Sequence, residues 1–74
     1  MSQEEKNRIE YFTLCAFLFA QKYQLEVATA VNYLLSFGGI QFLEDNYEIE
    51  HTLPVEDTLE ALQLICVRNG GNIS

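Results

Sequence analysis

The sequence predicts an all-α fold: a compact domain of three to four helices with a short extended connection before the last one. Three observations predict it. Apolar residues recur at helical spacing along residues 9–23 and 55–67. Boundary chemistry brackets these runs, with Ser2 and Glu5 at one start, Pro54 at another, and glycine pairs at two ends. The length of 74 residues, 49% hydrophobic, supplies one thin core, so residues 1–74 are read as a single domain with a loose tail over about 70–74.

The first helix is expected to run from a Ser2–Glu5 capping box to about Tyr23. Ile9, Phe12, Ala16, Phe19 and Tyr23 make its stripe, and Tyr11, Leu14, Cys15, Phe17 and Leu18 widen it. A helix apolar over most of its circumference must be covered over most of it, by its own domain or by a second subunit. The second helix is expected over residues 26–36, with Val27, Ala30, Val31 and Leu34 on one face. Gly38 and Gly39 end it, because a left-handed cap is least costly at glycine. A short third helix follows over residues 40–47. The last starts at Pro54, has Glu56 and Asp57 to complement its dipole, and stops at Asn69, Gly70 and Gly71.

Between the third and last helices, Tyr47, Ile49, His51 and Leu53 alternate with Glu48, Glu50 and Thr52. Alternation is the pattern of a half-buried extended segment, and Leu53 precedes proline, which disfavours the helical region. Three outcomes are open: a solvated extended connection, one more helical turn, or a strand paired with its copy in a second subunit. The first is favoured, because connections between helices are usually short and unpaired.

Charge narrows the partners. Eleven acids face four bases, and between Lys22 and Arg68 there are eight acids and no Lys or Arg. Nucleic acids and anionic membranes both require Lys and Arg, so neither is expected as a partner. A basic protein remains compatible. Cys15 and Cys66 lie in apolar helical runs and form no C-x-x-C pair. Two buried free thiols in a reducing cytoplasm are the default, with a single bridge as the alternative should their helices pack together. No secretory segment is read at the N-terminus, and the longest apolar run is too short to span a membrane. With disulfides and metals set aside, so small a core gains most from self-association, so a homodimer is expected.

Chemistry has few places to reside. His51 is the one imidazole, and a cysteine nucleophile would have to leave its apolar stripe to meet it. Glu44, Glu48 and His51 fall at i, i+4 and i+7, so on a continuous helix they could share a face around a divalent ion. Glu48 with His51 also matches the Glu-x-x-His of di-iron bundles, which need two such motifs and two more glutamates. No catalytic residue and no cofactor are expected. His51 and Tyr47 are read as a structural pin, with His51 hydrogen-bonding an open backbone carbonyl. Glu44, Asp45, Glu48 and Glu50 are read as the face toward a partner.

The order of Phe12, Lys22, Tyr23, Leu25, Tyr33, Leu34, Gly38, and then Tyr47, His51 and Thr52 as a Tyr-x-x-x-His-Thr signature, resembles a family of short uncharacterised bacterial proteins. The resemblance covers nearly the whole chain. It implies a helical domain with no assigned activity, often encoded beside an ADP-ribosyltransferase-like protein, and so an antitoxin-like or regulatory role. Glu26 departs from the pattern, standing where a Ser or Asp would cap the second helix. The expectation is a small acidic interaction module; the alternative is a metal-binding or enzymatic protein using His51 with Glu44 and Glu48.

Overall fold

Ser2 begins the chain's regular structure as predicted: its hydroxyl accepts the Glu5 amide at 3.2 Å and caps the first helix. The computed structural model describes residues 2–72, which form five helical elements and no strand: α1 (Gln3–Tyr23), α2 (Val27–Ser36), α3 (Gly39–Asp45), α4 (Tyr47–Glu50) and α5 (Val55–Arg68). At 1.5 Å per residue the 21 residues of α1 span about 31 Å, so this helix sets the 37 Å long axis of the molecule. Helix α1 packs on α2 and α5, and α3 fills the space against α2 and α5.

The core forms where α1 presents small residues. Cys15, Ala16, Phe19 and Ala20 are buried against Ala30 and Leu34 of α2, Leu43 of α3, and Leu59, Leu62 and Cys66 of α5. Phe19 is the largest of them and is fully enclosed. Gly39 marks the tightest approach: a Cβ there would lie 2.7 Å from Leu34 Cδ2 and 3.2 Å from Cys66 Sγ. Both cysteines are buried and free, in line with the default reading.

Chain reversals follow the predicted punctuation with two refinements. Helix α1 ends through Gln24, which takes the left-handed conformation at φ 56° without being glycine, while Leu25 N–H closes on Ala20 O at 2.8 Å. Helix α2 begins at Glu26 with no side-chain cap, the weakness that a Glu in place of Ser or Asp implies. Gly38 adopts φ 84° between α2 and α3 as expected. Of the two glycines read as the start of a loose tail, Gly70 is exposed at φ 94° while Gly71 packs. Gly71 is buried, its amide donates to Cys66 O at 2.8 Å, and the Asn69 amide reaches Phe37 O at 2.8 Å. The end of that expected tail, residues 73–74, lies outside the described residues.

The extended connection is the expectation the structure overturns. Residues 47–50 form a helical turn, α4, and only Leu53 and Pro54 remain as the lead into α5. The reason is backbone satisfaction. A lone strand has nothing to pair with. As a turn, Ile49 and Glu50 donate to Asn46 O, His51 to Tyr47 O, and Leu53 to Glu50 O, all within 3.1 Å. The Thr52 hydroxyl adds a bond to Ile49 O at 2.7 Å. The inward period is therefore three, and Tyr47 and Glu50 face the protein while Ile49 is 63% exposed.

Two substitutions test these constraints in opposite directions. Gln24→Gly relieves the left-handed strain and should raise stability by about 1 kcal/mol. Gly39→Ala gains helix propensity but overfills the contact with Leu34 and should cost about 1–3 kcal/mol. Urea midpoints at unchanged slope measure both.

Candidate functional site

Arg8, Tyr11 and Phe12 sit at i, i+3 and i+4 and so share one face of α1. Asn46 breaks the helix after Asp45, with φ −121° and its side chain donating to Phe42 O at 3.0 Å. The break lets α4 turn Tyr47 back onto that α1 face. The Tyr47 ring meets Tyr11 edge-on at 5.5 Å and Phe12 at 6.3 Å, and the His51 imidazole stacks on it at 4.6 Å and 8°. The Arg8 guanidinium lies over the same ring at 4.8 Å and pairs with Glu4 at 3.2 Å. A cleft of about 340 Å³ opens here, lined by Arg8 and residues 44–49.

Beneath this corner lies a polar layer. Tyr11 Oη donates to Thr58 Oγ1 at 3.4 Å, and Thr58, Cys15 and Glu50 are buried around it. Burial pushes the Tyr11 phenol up to about 12, opposed by the Thr58 hydrogen bond and reinforced by Cys15 and Glu50. Burial likewise raises the Cys15 thiol, with Tyr11 lowering it and the Glu50 charge adding to the rise. These thiol and phenol groups are held neutral, which leaves them poor nucleophiles at ordinary pH.

The sequence-predicted residues separate into two sets. Glu44, Asp45 and Glu48 are exposed on the corner. Asp45 accepts the Gln41 amide at 2.9 Å, and none of the three is in an ion pair among the described residues. Glu50, grouped with them by alternation, faces inward and is 8% exposed, because the turn's period replaces the strand's. His51 hydrogen-bonds a backbone carbonyl, Tyr47 O, at 2.6 Å, but its ring is exposed and not on an apolar inner face. Since a carbonyl only accepts, Nδ1–H is the donor in this bond. The continuous helix that would align Glu44, Glu48 and His51 is interrupted at Asn46. Among the described residues no three His, Cys, Asp or Glu side chains are grouped to hold a metal ion.

Arg8 and Tyr11 were not singled out as site residues by the sequence reading. The available signal was Arg8 at helical spacing from two aromatics. It became meaningful only once Tyr47 was placed against them.

A family model described as "Protein of unknown function (DUF3791)" matches residues 10–69. No curated protein and no solved structure matches the chain.

The phenols and thiols that burial raises make a pH prediction. Tyr11, Tyr23, Tyr33, Cys15 and Cys66 are all raised by burial, so each holds its proton more tightly folded than unfolded. The unfolded chain therefore ionises first. Their stabilisation is intact below the ordinary thiol value of 9.0 and declines as pH rises, with the Tyr11 share lost through about 12. Tyr11→Phe should make the alkaline decline shallower in a series of denaturant midpoints from about pH 8 to 11.

Proposed function

The chain belongs to this family of proteins of unknown function, and we propose that it acts as a small acidic interaction module that docks a basic protein partner through the α3–α4 corner. One observation carries the reading. Three exposed carboxylates, Glu44, Asp45 and Glu48, in no ion pair among the described residues, line one cleft with Tyr47 and the exposed Ile49. Charge at such a rim steers encounter and selects sign, and the apolar neighbour supplies area that water leaves on docking. The thiol and phenol beneath, raised by burial, support a role without nucleophilic chemistry of its own.

The resemblance read from the sequence extends this to a partner: an enzyme encoded nearby, which the module would neutralise in an antitoxin-like manner. Two free buried thiols support residence in a reducing compartment such as the cytoplasm. Among the described residues no helix is long and apolar enough to cross a membrane. Self-association belongs to the same reading. Leu14 and Phe17 remain 49% and 47% exposed on the outer side of α1, as the breadth of its apolar surface implies.

Recovery of bound proteins from the native host tests the docking role. The wild-type chain should retain a basic protein. Glu44→Gln, Asp45→Asn and Glu48→Gln combined should weaken retention roughly ten-fold, at up to about 0.5 kcal/mol per rim charge. Added salt should weaken the wild type likewise. A wild-type chain that recovers only itself at every concentration counts against the role.

A further inference from the structure

The cleft at the corner is not merely acidic, because it already holds a cation of one particular shape. Arg8 places its guanidinium 4.8 Å over the Tyr47 ring, within a wall formed by Glu44, Asp45 and Glu48. Among the described residues Arg8 is the only base lining this cleft, and its ion pair runs to Glu4, outside it. The cleft's carboxylates thus form no ion pair among the described residues, while its aromatic ring is occupied. We infer that the cleft is an arginine-receiving pocket, in which a partner's guanidinium takes the place of Arg8 on Tyr47 and pairs with the acids around it. The inference rests on the docking role above and names the side chain that the partner presents.

Shape and charge both favour arginine over lysine. A guanidinium is flat, stacks on an aromatic face and can bind a carboxylate through two parallel bonds. An ammonium is a compact, strongly hydrated point charge that gains less from the ring. The volume of about 340 Å³ accommodates one long side chain. Displacement leaves Arg8 a place to go, because its i−4 partner Glu4 is on the same helix face and already holds it. The chain's own arginine therefore acts as a competitor that keeps the aromatic ring covered until a better-matched guanidinium arrives.

Titration of the isotope-labelled full chain with N-acetyl-arginine methylamide and, separately, with the lysine counterpart tests this by NMR. Arginine should shift residues 44–49 and Arg8 saturably, with lysine at least about three-fold weaker. In Arg8→Ala, a substitution on an outer turn of α1 that spares the core, arginine affinity should rise by a larger factor than lysine affinity. A general attraction for positive charge raises both equally. Equal affinities for the two ligands in both proteins, or shifts confined to residues outside the corner, overturn the inference. If a host protein still docks on the acidic corner while arginine shows no preference, the pocket is wrong and the docking role stands. If arginine binds selectively while the chain recovers no partner, the pocket stands and the docking role fails.

Discussion

The structure depends on the burial of one narrow face of α1, formed by Cys15, Ala16, Phe19 and Ala20. Three of these four side chains are small, so α2, α3 and α5 can approach closely, and Phe19 fills the space that remains. A domain this short has no second core to fall back on. The helix extends beyond that buried face toward its N-terminus, and this extension provides the α1 wall of the corner. The core thus positions Arg8, Tyr11 and Phe12 without being part of the cleft.

Most of the fold was legible because its signals are local. Ser2 capping, Gly38 at a left-handed turn, the apolar stripe of α5 and the stop at Asn69 each rest on chemistry within a few residues. The 47–53 stretch was misread for an equally physical reason. Alternation over seven residues is compatible with more than one backbone, and the choice depends on where its hydrogen bonds go. Asn46 and Thr52 close those bonds locally, which turned Glu50 inward and His51 outward. Gln24 in the left-handed region and the packed Gly71 carry no pattern that a single sequence displays.

The site was legible in part. The acids of residues 44–48 were visible as a charge run, and Tyr47 as part of a structural pin. Their relation to Arg8 was not, because it joins positions nearly forty residues apart and depends on the bend at Asn46. The structure also assigns the two glutamates of α4 to different environments, one to solvent beside the cleft and one to a protein-facing layer with Tyr11 and Thr58. Residues adjacent in a charge run therefore need not share a role, and the backbone period separates them.

The enclosure of both cysteines has a practical consequence. Cys15 and Cys66 are fully shielded, and burial raises both thiols. A surface cysteine introduced elsewhere would thus stand alone in reacting with a maleimide dye at neutral pH, with the native pair left in place. A fluorophore set beside the corner in this way would report occupancy of the cleft from a chain whose interior had not been rebuilt.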